Sequence, residues 1–204
     1  MGFWNMKRVI AICSLFLMVA APSHAKKGLD PSAGKDAFET CRGCHSTPNY
    51  SNVAPVFYVP KIGGQRKGYV ASALTAYKHE TRARTSMLAN SENLSEKMTA
   101  AIAQYIEESA GKISKAGNTI GDAKKGEALA AACLGCHTND LEDGMTAPIL
   151  AGQHGNYLVK VMKDYQSGVR KDAVMQSMVG SFTEDELKDI AAYFADMKGL
   201  SIVK

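Results

Sequence analysis

The chain of 204 residues is short of thiols, short of net charge and short of long apolar runs, and each shortage narrows what it can be. It has five cysteines, four of them confined to two five-residue stretches, Cys41 to His45 and Cys133 to His137. Its 24 basic and 20 acidic residues nearly cancel, and Lys and Arg are scattered rather than clustered. Nucleic acid is therefore not an expected partner. No period-2 apolar alternation marks a strand, so the expected class is all-α. The composition, 46% hydrophobic and 22% charged, is that of a soluble globular protein.

The one marked apolar run, Val9 to Ala21, follows Lys7 and Arg8 and precedes Pro22-Ser23-His24-Ala25. It falls short of the roughly 20 residues that a spanning helix needs. A basic start, an apolar stretch and small residues at positions 23 and 25 read as a signal peptide, residues 1–25, with cleavage after Ala25. Export to the periplasm is the expectation; a retained anchor is the alternative that sequence leaves open. Cys13 lies inside the run behind Ile12, which is not the place of a lipoprotein cysteine; it reads as a small hydrophobe of the leader.

The rest of the chain is built twice. Pro60-Lys-Ile-Gly-Gly-Gln65 aligns with Pro148-Ile-Leu-Ala-Gly-Gln153 at an offset of 88. At the same offset Tyr69 meets Tyr157, Tyr77 meets Tyr165, Arg82 meets Arg170, Met87 meets Met175 and Ile102 meets Ile190. Gly34 precedes Cys41 by seven, as Gly126 precedes Cys133. The expected units are 26–110 and 122–204, joined by a Gly, Ser and Lys-rich linker at 111–121. Each unit is expected to hold a helix into the Cys motif (33–41, 123–133), a helix at 67–78 or 156–166, a loop bearing the methionine, and a closing helix. The closing helices start at Ser95 and Thr183, N-cap residues before acidic first turns. Met98, Ile102, Tyr105 and Ile106 are the expected buried face of the first. Units of roughly 80 residues bury little apolar surface alone, so something else should fill each core.

Both thiol stretches read Cys-x-x-Cys-His. A zinc site would have to join ligands from two closed copies and would leave the adjacent His unexplained. A thiol–disulfide pair expects a βαβ setting, which is missing. Covalent haem attachment uses every residue: Cys41 and Cys44, and Cys133 and Cys136, form thioethers with the vinyl groups, and His45 and His137 reach the iron. Two haem c groups are thus expected, and they would fill the small cores.

A sixth ligand must come from a downstream loop on the other face. The repeat selects Met87 and Met175, the methionines that match each other in Arg-x-x-x-x-Met; Met178 is the rival to Met175, although Asn90 occupies its equivalent place. Met98 reads as core, Met197 lies near the end of its helix, and Met145 and Met162 lack methionine partners. His79 and His154 also lack histidine partners and read as surface or supporting residues, with ligation as a fallback. Pro60 and Pro148 either accept from the ligand His Nδ1–H or make simple turns. Gln65 and Gln153 open the next helix or bond a propionate. Arg82 and Arg170 pair with propionates or lie on the surface. Tyr69, Tyr77, Tyr157 and Tyr165 read as core or interface. The loop Ala54 to Ile62 is a partner contact or a pocket lining.

These motifs resemble the dihaem cytochrome c4 family, over nearly all of the exported chain. The second unit, APILAGQHGNYLVKVMKDYQSGVRKDAVMQSM followed by LKDIAAYF, carries the resemblance best. The first departs from it in the long loop STPNYSNVAPVFYV and in IGGQ. The resemblance implies two class I cytochrome c domains about a pseudo-twofold axis, with haem propionate edges facing each other. It implies His45 with Met87, and His137 with Met175, as iron ligands. It further implies a periplasmic electron carrier rather than an enzyme, taking electrons from a quinol-oxidising complex or dehydrogenase and passing them to a terminal oxidase. Peripheral membrane association fits that role, and no small-molecule substrate is expected. The alternatives are a dihaem enzyme of peroxidase or thiosulfate-oxidising type, and a dedicated electron-accepting subunit of a periplasmic dehydrogenase.

Overall fold

A computed structural model describes residues 31–54, 56–111, 120–139 and 146–204. The expected leader, most of the expected linker and Met145 lie outside the described residues. The described residues form eight α-helices and, in place of sheets, four isolated bridges. None of these helices is long and apolar enough to cross a membrane.

The first half holds α1 (Pro31–His45), α2 (Lys67–Lys78), α3 (Thr85–Ser91) and α4 (Glu96–Glu108). The second holds α5 (Ala123–Leu129), a 3₁₀ turn (Ala131–Gly135), α6 (Gly155–Gln166), α7 (Ala173–Val179) and α8 (Glu184–Asp196). The closing helices start where their caps dictate. Ser95 accepts from the Met98 N–H. Thr183 forms a reciprocal capping box with Glu186. α1 runs through the whole Cys motif, four residues beyond its expected end, whereas its counterpart stops at Leu129 and tightens into the 3₁₀ turn. The methionine loops are short helices; Asp172 caps α7 by accepting from the Met175 N–H at 2.9 Å.

The closing helices supply the cores. Thr99, Ile102, Ala103 and Ile106 form one buried stripe on α4, and Leu187, Ile190, Ala191 and Phe194 form the same stripe on α8. Met98 is not part of it: it is 42% exposed, because the buried stripe begins one residue later, at Thr99. Phe38, Val70 and Leu74 complete the first core; Leu158, Met162 and Tyr165 complete the second. Burying each large apolar side chain stabilises by about 1.5–3 kcal/mol.

α1 crosses α4 and α5 crosses α8, each at a glycine. A Cβ on Gly34 would lie 2.4 Å from Ala101 O, and one on Gly126 would lie 1.9 Å from Asp189 O. The glycine seven residues before each Cys motif is therefore the crossing point that fixes the motif's approach to its core.

The end of the chain returns to the first half. Leu200 N–H donates to Ala151 O in the second half, but Ser201 pairs with Gly63, and Val203 is fully buried in the first core. Val203 N–H donates to His45 O at 3.2 Å.

Candidate haem centres

In each half the Cys motif brings two thiols and an imidazole to the edge of a core. Cys41 and Cys133 are half-buried against their cores, while Cys44 and Cys136 are exposed. None of the four is in a disulfide among the described residues. Burial pushes the Cys41 and Cys133 thiols up, with smaller contributions from neighbouring groups. That is the opposite of an activated redox thiolate.

His45 and His137 are buried, 7% and 8% exposed. Each ring is fixed by one bond: His45 Nδ1 to Pro60 O at 3.0 Å, and His137 Nδ1 to Pro148 O at 2.7 Å. A carbonyl oxygen only accepts, so Nδ1 carries the proton and Nε2 keeps its lone pair. Burial holds both imidazoles below their usual range, against the opposing pull of the proline carbonyls. Each half thus presents a neutral imidazole with its metal-binding nitrogen free.

The methionines sort themselves by packing. Met87 and Met175 are partly buried and pack on the first and second cores. Met178 is 38% exposed, Met162 lies in the second core, and Met197 packs against the end of that core. Two thiols, one oriented imidazole and one core-facing thioether in each half fit a covalently attached haem.

The Gly-Gln pairs have a conformational reason. Gly64 and Gly152 adopt φ of 83° and 73°, which a residue with a Cβ resists. Their N–H groups donate to Ile106 O and Phe194 O on the closing helices. The glutamines that follow do not open a helix: α2 starts at Lys67 and α6 at Gly155. Gln65 bonds the backbone of Ile149, and Gln153 that of Lys61, each in the opposite half.

Other cross-contacts were invisible in the sequence. Arg66 is 2% exposed, and its guanidinium donates to Cys136 O (3.2 Å), Ala147 O, Thr138 O (3.0 Å) and Thr138 Oγ1 (3.0 Å). It ties together both ends of the loop after the second Cys motif. Its repeat equivalent, His154, is also 2% exposed and lies 4.9 Å from the Tyr58 ring, and among the described residues its Nδ1 has no hydrogen-bond partner. It is thus a buried residue, not a surface one, while His79 is exposed. The expected apolar loop splits: Phe57 is buried 6.1 Å from the Tyr157 ring, whereas Val56 is 75% exposed. Arg82 and Arg170 are partly buried and not separate; both bond Tyr69 Oη. The repeat did not mark the contacts of Arg66, because its equivalent is a histidine.

The chain is similar to known proteins. The family model described as Cytochrome c matches residues 123–198. Cytochrome c-554(548) of Halomonas halodenitrificans is 36% identical over 84 residues, covering 38% of this chain and 99% of that protein. Cytochrome c-552 of Acidithiobacillus ferridurans is 27% identical over 93% of this chain and 88% of that one. A Stutzerimonas stutzeri protein named thiosulfate dehydrogenase electron acceptor is 24% identical over 95% and 94% of the two chains. The solved cytochrome c4 of Acidithiobacillus ferrooxidans superposes with a TM-score of 0.68 at 26% identity, covering 78% of this chain and 99% of that one.

Proposed function

We propose that this chain, which belongs to the cytochrome c family in its tandem, cytochrome c4 form, is an exported electron carrier of a respiratory chain. It carries two haem c groups, one in each of the units 26–110 and 122–204, joined by 111–121. Cys41 and Cys44 hold the first group and Cys133 and Cys136 the second. His45 with Met87, and His137 with Met175, would supply the iron ligands of the two groups. When bound, the groups supply reversible one-electron exchange; the chain supplies attachment, ligands and shielding.

One observation carries this reading. Each half pairs an imidazole whose Nδ1 is committed to a proline carbonyl with a methionine packed on the same core. Met178 is left by its exposure as the weaker rival of Met175. A methionine sulfur as second protein ligand would favour the reduced state and would leave little room for a substrate. The leader read at 1–25 supports a periplasmic carrier, working between a quinol-oxidising complex or dehydrogenase and a terminal oxidase.

The test is electron delivery. The reduced protein, added to membranes containing a terminal oxidase, is expected to be oxidised in the presence of oxygen, and blocking the oxidase is expected to stop this. Oxidation that needs no membrane would overturn the assignment of acceptor. A second reading, a dedicated acceptor for a periplasmic dehydrogenase, is favoured by the likeness to the thiosulfate dehydrogenase electron acceptor. Rapid reduction by such a dehydrogenase with its substrate, and slow exchange with oxidase membranes, would select it.

A further inference from the structure

The Pro148–Ile149 peptide is hydrogen-bonded at both ends. Its carbonyl accepts from His137 Nδ1 at 2.7 Å, and its N–H donates to Gln65 Oε1 at 2.8 Å. The Pro60–Lys61 peptide repeats the pattern. Its carbonyl accepts from His45 Nδ1 at 3.0 Å, and its N–H donates to Gln153 Oε1 at 2.9 Å. In both cases the histidine and the peptide belong to one unit and the glutamine to the other.

The glutamines are held firmly. Gln65 Nε2 donates to Ile149 O at 3.1 Å and Gln153 Nε2 to Lys61 O at 2.8 Å. Their Oε1 atoms also accept from the N–H groups of Arg66 and His154. Every partner is a backbone group with a fixed role, so neither side-chain amide can be turned over. Gln65 is 2% exposed and Gln153 4%, which shields these bonds from water.

Bonds in such a chain polarise one another. A peptide that gives away its N–H has a more negative carbonyl oxygen. That oxygen pulls harder on the Nδ1 proton, and the imidazole becomes a stronger donor at Nε2. A bond meant only to join the units could have used any exposed backbone group. These two glutamines both reach the single peptide in each unit that orients the histidine.

We propose that Gln65 and Gln153 are positioning residues that act across the interface, each setting the donor strength of the other unit's histidine. Gln65 acts on His137 and Gln153 on His45. The two reduction potentials are therefore tied to the integrity of the interface. The proposal rests on the reading of His45 and His137 as iron ligands.

The test is a redox titration of the haem-loaded full chain, followed by the hyperfine-shifted proton signals of each haem. Gln65→Met removes all three side-chain bonds at similar volume. The midpoint of the second haem is expected to rise, with its His137 ring signals displaced and the first haem unmoved. Gln153→Met is expected to do the reverse. A shift in the variant's own unit, equal shifts in both haems, or no shift would overturn the proposal. Failure of the ligand reading would appear earlier, as missing iron-bound imidazole signals in the unmodified protein. Should either variant fail to fold, the unmodified protein decides. The Gln65 side-chain amide signals are expected to follow the redox state of the second haem, and those of Gln153 the first; the opposite pattern would overturn the relay.

Discussion

Arg82 and Arg170 face each other across an antiparallel backbone bridge, and both guanidinium groups reach the hydroxyl of Tyr69, at 3.2 and 3.4 Å. Arg82 also donates to Tyr157 Oη at 3.1 Å, and each arginine lies over its own tyrosine ring, Tyr77 or Tyr165. Among the described residues neither forms an ion pair. Burial alone would push the Tyr69 phenol up, but the two charges outweigh it and bring it down to about 8. Two partly buried like charges side by side call for an anion.

The haem propionates are expected to supply it. Arg82→Leu should lower the midpoint potentials, on the order of 60 mV for the nearer haem, because a lost cation disfavours the reduced iron. Potentiometric titration checks this. The phenol gives an independent sign. With carboxylates beside the arginines, Tyr69 should keep its proton well above pH 8; titration near 8 in the haem-loaded protein would mean that no anion sits there.

Arg66→Leu is expected to destabilise the second unit more than the first. It leaves the carbonyls of Cys136, Thr138 and Ala147 without their guanidinium donor. The cost is on the order of 3 kcal/mol, since each orphaned buried acceptor costs about 1–3. Arg66→Lys should recover little, because a point charge cannot reproduce the fork. Denaturant unfolding, read at each haem separately, measures the difference.

His154 predicts an acid limit. Burial first, and then the charge of Lys61, hold its imidazole down to about 4, below an unfolded value near 6.5. The group facing it is the Tyr58 ring, which offers no counter-charge. A depressed folded pKa gives stability that is present above the unfolded value and is lost as pH falls from there through about 4. Up to about 3 kcal/mol should disappear across that window. His154→Gln should flatten this part of the stability profile.

Gly126→Ala is expected to open the α5–α8 crossing, since its Cβ would meet Asp189 O at 1.9 Å and backbone must move. A loss of about 1–3 kcal/mol or more follows from such overpacking. Thermal unfolding should show it, with Gly34→Ala doing the same at α1–α4.

What repeats and acts within one unit could be read in the sequence. The caps at Ser95 and Thr183, the glycines before each motif and the proline carbonyls on His45 and His137 all recur and are all found. The buried stripe of α4 was misjudged at Met98, because hydrophobicity alone does not say where a helix first meets its core. The interface was not legible. Gln65 and Gln153 repeat, but a repeat within each unit does not reveal bonds that cross between units. Arg66 and the returning Val203 occur in only one copy, so no internal comparison could mark them.

The central claim is that each iron is closed by one histidine and one methionine. The most direct measurement is the near-infrared absorption of the oxidised, haem-loaded protein, taken with a haem count and repeated after adding cyanide. Two haems per chain, an iron–sulfur band of two-site intensity and slow cyanide binding are the expected result. A band of half intensity, or one iron that binds cyanide at once, would contradict the pairing of His45 with Met87 or of His137 with Met175.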